Sequence, residues 1–412
     1  MMRWLSLLIA AGSAFGQVTF DRLLKADAEP QNWLTYSGSY KGWRYSGLNQ
    51  IHKDNVKDLK LAWVYQMLVT HRVETTPLVI DGVMYLSEPP SNVVALDAAT
   101  GRQFWRYRRS LPSKINVCCG QVNRGVAVSG DRVFIGTVDA HLVALNAKTG
   151  AVLWDVEVAD YKHGYSVTVA PLIVKDMVIT GIAGGEYGIR GFLDAYDLKT
   201  GQRRWRFWTI PGPGEKGHET WSGDAWKRGG GPTWVTGSYD AGQNLIIWGT
   251  GNPSPDWNGD VRPGDNLYTD CAIALDADTG KLKWHFQFVP HDVHDWDAVQ
   301  VPVLVDGEFQ GQQRKLVYWA HRGGFYYVLD RVTGKFLLGK PFATQTWANG
   351  LDANGRPMRK QGIDPTPDGV EVWPGVQGAT NWYSPSYNPL TGLFYLTARK
   401  PRSPAKLPNW PR

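Results

Sequence analysis

Hydrophobic and polar positions alternate along short stretches of this chain, which is the pattern of β-strands that bury one face. The stretch from Arg132 to Val138 is typical, and it follows a turn at Gly130. Similar stretches recur along the sequence and are bounded by glycine or aspartate. The pattern predicts an all-β protein made of many short strands joined by tight turns.

Several of these strands lead into one repeated unit, Ala-Leu-Asp-x-x-Thr-Gly-x-x-x-Trp, with small variations. Four copies lie at 95–105, 144–154, 195–205 and 274–284, a fifth at 328–334 lacks the tryptophan, and a sixth at 387–392 is weaker. The turn positions Asp97, Asn146, Asp197, Asp276 and Asp330 are 49, 51, 79 and 54 residues apart. Within each copy the aspartate can bond the turn backbone, and the glycine can adopt a positive φ. Paired hairpins at about 50-residue spacing are typical of four-stranded propeller blades.

The wider gap between Asp197 and Asp276 predicts an inserted loop. The segment from Trp205 to Gly231 is rich in glycine, proline and tryptophan and has no clear periodicity. Long excursions of this kind are where binding sites tend to lie. The repeats alone fit a scaffolding propeller without chemistry equally well.

Composition agrees with a folded protein. Of the 412 residues, 43% are hydrophobic and 20% are charged, the balance of a globular chain. The 20 tryptophans and 46 glycines fit layers of short strands joined by tight turns. The net charge of +6 is diluted over the whole length, and no basic run is interleaved with aromatics, so we expect no nucleic-acid partner.

The N-terminus predicts a signal peptide at residues 1–16. Arg3 is followed by an apolar run from Leu5 to Ala11, and then by a small-x-small cleavage pattern that ends at Gly16. The alternative is a buried N-terminal helix. We expect a periplasmic or secreted protein, in a compartment where a disulfide can persist. No later stretch is long and apolar enough to predict a membrane span.

The cysteines point to unusual chemistry. Cys118 and Cys119 are adjacent, and a disulfide between neighbours closes a small strained ring. In an oxidising compartment, chemistry alone leaves both a vicinal bridge and two separate thiols open. Cys271 lies in a strand-like apolar run and is predicted to be a buried thiol.

The run from Pro290 to Asp297 holds three carboxylates and two imidazoles. Asp295 and Asp297 lie two residues apart, so on an extended segment they would point the same way, as suits a hard cation. The alternative is a solvated acidic loop. Glu186 and Asn252 are glycine-flanked polar residues at predicted strand ends, and each by itself indicates a turn more readily than a site.

Together these motifs resemble the pyrroloquinoline quinone (PQQ)-dependent alcohol dehydrogenases, the quinoproteins of the methanol dehydrogenase type. The tryptophan-bearing repeats are similar to that family's tryptophan-docking motifs, and the resemblance covers 17–412 as one PQQ-binding propeller domain. It implies an eight-bladed propeller, of which the sequence supplies about six blades. We therefore expect the C-terminal blades to be missing, and an inactive fragment remains an alternative.

The resemblance also implies the residues of a site. It implies a Cys118–Cys119 disulfide on one face of PQQ, with Trp234 on the other. It implies polar contacts to PQQ from Arg124, Glu74, Thr168, Asn381 and Arg322. It implies the metal ligands Glu186, Asn252, Asp295 and Asp297, with Asp295 also the catalytic base and Arg322 beside the quinone oxygens.

Asp297 is the residue that bears on which metal ion to expect. An acidic residue two positions after the base resembles the lanthanide-dependent members, because an added carboxylate offsets the third charge of the ion. We therefore expect a lanthanide in preference to Ca²⁺. His294 departs from the aromatic or aliphatic residue common there, which leaves the loop geometry open.

The function implied by the resemblance is oxidation of a small alcohol to an aldehyde, with metal-polarised PQQ accepting hydride. The alternatives are an aldose dehydrogenase type of PQQ enzyme and a non-catalytic propeller that assists assembly. The vicinal cysteines favour the alcohol branch, and the joint presence of Glu186, Asn252 and Asp295 argues against the non-catalytic propeller. Because the sequence contains no Cys-x-x-Cys-His, we expect no c-type haem in this chain. Electrons would then pass to a soluble cytochrome c, and a homodimer is left open.

Overall fold

The computed structural model describes residues 18–69 and 72–399, so the predicted signal peptide lies outside the described residues. Five four-stranded antiparallel sheets follow one another along the chain, and in each sheet sequential strands pair as neighbours. The sheets comprise β1–β4 (Leu78–Ile80, Val83–Glu88, Asn92–Asp97, Gln103–Tyr107), β5–β8 (Ala127–Ser129, Arg132–Gly136, His141–Asn146, Val152–Glu157), β9–β12 (Leu172–Val174, Met177–Gly181, Phe192–Asp197, Arg203–Trp208), β13–β16 (Ser238–Asp240, Leu245–Gly249, Cys271–Asp276, Leu282–Gln287) and β17–β20 (Val303–Phe309, Gln312–Ala320, Phe325–Asp330, Phe336–Pro341).

Two hairpins follow the fifth sheet. They are formed by β21 and β22 (Ala348–Leu351, Pro357–Arg359) and by β23 and β24 (Ser386–Asn388, Leu393–Tyr395). The second hairpin contains the sixth repeat, so the described residues hold five complete blades and two strands of a further one. Among the described residues, helical structure is limited to α1 (Phe20–Leu24) and to short 3₁₀ turns at Ala26–Ala28, Val56–Asp58, Tyr161–His163, Gly185–Tyr187, His218–Thr220 and Ala225–Arg228. Between residues 18 and 69 and between 72 and 399, no helix is long and apolar enough to cross a membrane.

The repeated unit forms the turn between the third and fourth strands of each blade, as predicted. In the first blade the Oδ1 atom of Asp97 accepts the backbone N–H groups of Ala99 and Thr100. Gly101 then takes a φ of 72°, which a residue with a side chain rarely adopts. The corresponding glycines of the next four blades have φ between 67° and 73°.

The repeat tryptophans tie neighbouring blades together. Trp105 donates its indole N–H to the carbonyl oxygen of Ala147 at 2.9 Å, and its ring lies against Gly150 of the next blade. The same arrangement joins Trp154 to Leu198 and Gly201, Trp205 to Ala277 and Gly280, and Trp284 to Arg331 and Gly334. Sequence reasoning missed a fifth member, Trp63, which docks in the same way on Ala98 and Gly101 of the first blade.

The long gap between the third and fourth repeats is filled by two excursions. One connects β12 to β13 over 209–237, and the other connects β14 to β15 over 250–270. The predicted excursion was placed slightly too early, because Trp205 belongs to β12. In an antiparallel meander the 2→3 turns and the connections between blades lie at one end, opposite the repeat turns. Both excursions therefore emerge at the end of the propeller away from the repeats.

Candidate cofactor and metal site

The predicted site residues all lie outside the strands, in connecting segments. Eleven of them lie either in a connection that follows a blade or in a turn between the second and third strands of a blade, and Glu74 lies in the segment that leads into β1, so all lie at the same end of the propeller. A cavity at this end is lined by eleven of the twelve predicted residues, all except Asn252. These eleven are Glu74, Cys118, Cys119, Arg124, Thr168, Glu186, Trp234, Asp295, Asp297, Arg322 and Asn381.

Arg124 forms a buried cationic wall of the cavity. Its Nη2 atom pairs with Glu74 at 2.7 Å, and its Nη1 donates to the Oγ1 of Thr168 at 3.0 Å. The guanidinium lies over the rings of Trp234 and Trp382, at 4.5 and 5.0 Å from the centroids. Burial lowers the pKa of Arg124, and the charge of Glu74 opposes that shift. The Nε atom is buried and has no hydrogen-bond partner in the part of the chain that the structure describes, so a donor remains for a bound anion.

Cys118 and Cys119 are joined by a vicinal disulfide at the edge of this cavity. Cys119 adopts a φ of 65° in a tight turn that ends at Gly120. Chemistry alone left open a vicinal bridge or two separate thiols, and the structure shows the bridge. Cys271 is a fully buried free thiol, as predicted, and burial raises its pKa well above the ordinary value.

Asp295 and Asp297 reach the same guanidinium, although their backbone is not extended. Asp295 adopts a φ of 58°, so the expectation of an extended segment is wrong. The Nη2 atom of Arg322 lies 3.5 Å from Asp295, and its Nη1 pairs with Asp297. Asp297 also accepts the backbone N–H of Asn252 at 2.8 Å. The two carboxylates thus converge because the left-handed residue turns the chain between them.

The acidic run is not a solvated loop. Asp292 is fully buried and accepts the backbone N–H groups of His294 and Trp296 at 3.0 and 2.8 Å. The ring of His294 stacks on that of Trp296 at 4.3 Å, and its Nε2 lies 3.0 Å from the carbonyl oxygen of Ile363. These contacts allow a histidine at position 294, because its ring packs as an aromatic residue would.

Three carboxylates face one guanidinium group, that of Arg322, in this part of the cavity. Burial, above all, raises the pKa of Glu186, Asp295 and Asp297, and repulsion between the carboxylates adds to the effect. The positive charge of Arg322 opposes each of these shifts. Glu186 is solvent-exposed because it borders the open cavity. Its carboxylate is nevertheless surrounded by enough protein to raise its pKa. The cluster has the charge of a site for a cation.

Asn252 stands just behind the cavity wall. Its Nδ2 donates to Asp256 and to the carbonyl oxygen of Pro253. Its Oδ1 is buried and has no hydrogen-bond partner among the described residues. A buried amide oxygen of this kind, beside several carboxylates, is suited to be a neutral ligand of a hard cation.

Asn381 is held by its own turn. Its Nδ2 donates to the carbonyl oxygen of Gln377 at 3.0 Å, and its Oδ1 accepts the backbone N–H of Trp382. Four further polar or aromatic lining residues were not singled out from sequence, and they are Arg72, Ser166, Gln377 and Trp382. Only Trp382 had a local signal, since it directly follows Asn381.

The chain resembles known proteins over most of its length. The family model described as "PQQ: Glucose/ethanol/alcohol dehydrogenase, beta-propeller domain" matches residues 33–340. The quinoprotein alcohol dehydrogenase PedH of Pseudomonas putida is 42% identical over 422 residues, which cover 96% of this chain and 71% of PedH.

Two solved structures of related enzymes are also similar to this chain. The quinohemoprotein alcohol dehydrogenase of Comamonas testosteroni superposes with a TM-score of 0.90 at 40% identity, over 96% of this chain and 61% of that one. A europium-containing methanol dehydrogenase gives 0.86 at 36% identity, over 92% of this chain and 70% of that one. The chain thus spans only part of the length of its relatives, for example 71% of PedH and 55% of the quinohemoprotein ADH IIB of Pseudomonas putida.

Proposed function

This chain belongs to the PQQ-dependent alcohol dehydrogenase family, and from that premise we propose that it oxidises an alcohol to an aldehyde with PQQ and one metal ion. The observation that carries the proposal is the single cavity that joins the vicinal disulfide, Trp234 and two buried arginines to a cluster of carboxylates. Aromatic and disulfide surfaces suit a flat ring system, arginines suit its acid groups, and clustered carboxylates suit a cation.

The residues present fit PQQ, a flat tricarboxylate. Cys118, Cys119 and Trp234 offer flat surfaces on the lining of the cavity. Arg124 and Arg322 each have a buried Nε that no described residue accepts a hydrogen bond from. Thr168 and Asn381 add polar groups beside them. Charge-assisted hydrogen bonds from the two guanidinium groups would hold carboxylate or quinone oxygens strongly in this buried setting.

The residues present also fit a hard cation. Glu186, Asp295 and Asp297 supply carboxylate oxygens, and Asn252 supplies a neutral oxygen that has no other partner. We propose a lanthanide in preference to Ca²⁺, because Asp297 adds a third negative charge to the set. Asp297 is paired with Arg322, so an ion at this position would compete with that guanidinium for the carboxylate.

Asp295 is the proposed base for the hydroxyl proton of the alcohol. An exposed aspartate is a weak base at neutral pH. Burial raises the pKa of Asp295 well above its ordinary value in the protein alone, and a bound cation would oppose that shift. The proposed base therefore depends chiefly on its position beside the hydroxyl group of the alcohol. The nearby Arg322 opposes that shift and holds the carboxylate in place. When bound, PQQ supplies an electrophilic carbonyl that accepts hydride, and the metal supplies Lewis acidity.

The cellular setting is part of the same proposal. The N-terminal pattern supports export to the periplasm or beyond, and the vicinal disulfide is compatible with an oxidising compartment. We further propose a soluble cytochrome c as the acceptor of the electrons from PQQ.

Dye-linked alcohol oxidation by the purified protein tests the function. The assay is run with added PQQ and with La³⁺, Ca²⁺ or a chelator, and PQQ binding is followed in parallel by quenching of tryptophan fluorescence. Activity with La³⁺ and loss of activity with the chelator are expected, while higher activity with Ca²⁺ would overturn the choice of ion. Absence of both activity and quenching would overturn the PQQ site.

A further inference from the structure

The two ends of the Asn252 side-chain amide are in different surroundings. Nδ2 donates to the Oδ1 of Asp256 at 2.9 Å and to the carbonyl oxygen of Pro253 at 3.1 Å. Oδ1 has no hydrogen-bond partner within residues 18–69 and 72–399, and it lies 2.7 Å from where a Cβ on Gly185 would stand, so it faces the turn that carries Glu186. The amide is therefore oriented with its oxygen toward the carboxylate cluster.

Oxygen and nitrogen of an asparagine amide have nearly the same shape, so the hydrogen-bond partners decide which one faces a ligand. We propose that Asp256 is a positioning residue of the metal site. Its carboxylate accepts the Asn252 amide hydrogen and so presents the Oδ1 of Asn252 to the ion. This role rests on the proposed metal site, and Asp256 itself does not line the cavity.

Asp256 can serve this role because its loop is firmly held. The fully buried Arg262 donates from Nε and Nη2 to the carbonyl oxygen of Pro255, at 3.1 and 2.9 Å. The same Nη2 donates to the carbonyl oxygen of Asp292 at 2.6 Å. One guanidinium thus ties the loop that carries Asn252 and Asp256 to the loop that carries Asp295. Supporting contacts of this kind fix the direction of a ligand before the ion arrives.

A second explanation is that Asp256 acts only through its charge, since other carboxylates lie near it. The two explanations differ in what an asparagine at 256 would do. Asparagine keeps a carbonyl oxygen that can accept the Asn252 amide hydrogen, but it removes the negative charge. Alanine removes both the acceptor and the charge. A positioning role therefore predicts that the two substitutions differ, and a charge role predicts that they do not.

The experiment is calorimetric titration of the PQQ-loaded protein with La³⁺, and separately with Ca²⁺. We expect Asp256→Ala to weaken binding by roughly 10-fold to 100-fold, the usual cost of losing a residue that orients a metal ligand. Asp256→Asn is expected to stay within about threefold of the wild type, since it keeps the acceptor. The matched control is Asp260→Ala, which removes an exposed carboxylate from the same loop. Thermal unfolding of each variant checks that the fold is retained.

Wild-type affinity in Asp256→Ala would overturn the positioning role, and so would equal weakening in Asp256→Ala and Asp256→Asn. Failure of the wild-type protein to bind either ion would overturn the metal site itself and this role with it. The two failures are distinguishable because only the second is visible before any substitution is made.

Discussion

The indole ring of Trp284 lies directly against Gly334 of the next blade. A Cβ at Gly334 would approach the Cε3 atom of that ring to 2.6 Å, and the indole N–H donates to the neighbouring Arg331 carbonyl oxygen at 2.9 Å. Two features therefore favour glycine at position 334, its φ of 73° and the indole ring packed against it. The contact joins the fourth blade, which carries Asn252, to the fifth blade, which carries Arg322.

Gly334→Ala should destabilise the protein by about 2 to 3 kcal/mol, since it adds a steric clash to an unfavourable φ. Gly311 is a matched control, because it lies in a turn of the same blade with a φ of 76° and has no atom within 4 Å of its would-be Cβ. Gly311→Ala should cost only about 1 kcal/mol. Urea unfolding measures both, and equal losses would contradict the docking role of Trp284.

Glu74→Gln should destabilise the protein without PQQ by about 3 kcal/mol, because it leaves the buried Arg124 cation without its carboxylate partner. Saturating PQQ should recover part of this loss, since the cofactor would bring its own carboxylates to Arg124. The control is Asp27→Asn, which breaks an exposed pair with Lys41 and should change stability by less than about 0.5 kcal/mol. Denaturant unfolding with and without PQQ gives both numbers, and an equal loss in both conditions would argue against cofactor contact by Arg124.

Asp295→Asn should lower kcat by about 100-fold or more while PQQ still binds, because the amide keeps the shape of the carboxylate but cannot accept the hydroxyl proton. Steady-state kinetics at saturating metal measure kcat, and tryptophan quenching reports PQQ binding. Asp260→Asn is the control for the loss of a nearby negative charge. A variant that keeps most of its turnover would remove Asp295 from the role of base.

His321 should make stability depend on pH. It is buried, its Nδ1 lies 3.0 Å from the backbone nitrogen of Gly323, and burial lowers its pKa to about 3. The unfolded chain takes up the proton near pH 6.5 and the folded protein does not. This contribution to stability is therefore present above about pH 6.5 and is lost as the pH falls toward 3, by up to about 1.4 kcal/mol per pH unit.

Urea unfolding between pH 5 and 7 tests this dependence. His321→Gln should flatten the slope of unfolding free energy against pH, because glutamine does not titrate. His163→Gln, which changes an exposed ring, is the control and should leave the slope close to that of the wild type. Parallel slopes for the wild type and His321→Gln would show that the buried ring does not contribute.

Sequence by itself determined the parts of this protein that are local and repeated. The turn in each blade needs an acceptor such as Asp97 and a glycine at positive φ such as Gly101, so the blades could be predicted from their turns. The residues of the site could also be predicted, because their short motifs resemble those of a known family, and the cavity brings eleven of them together. Their roles in binding and catalysis remain predictions.

Only the tertiary structure decided the contacts that cross between loops. Trp63 and Arg262 have no distinguishing neighbours in sequence, and their partners Gly101 and Asp292 are recognised only once the chain is folded. The convergence of Asp295 and Asp297 on one arginine depends on a left-handed backbone that spacing did not reveal. The physical reason is that side-chain direction and hydrogen-bond pairing between distant loops depend on packing, whereas turn chemistry depends on a few adjacent residues.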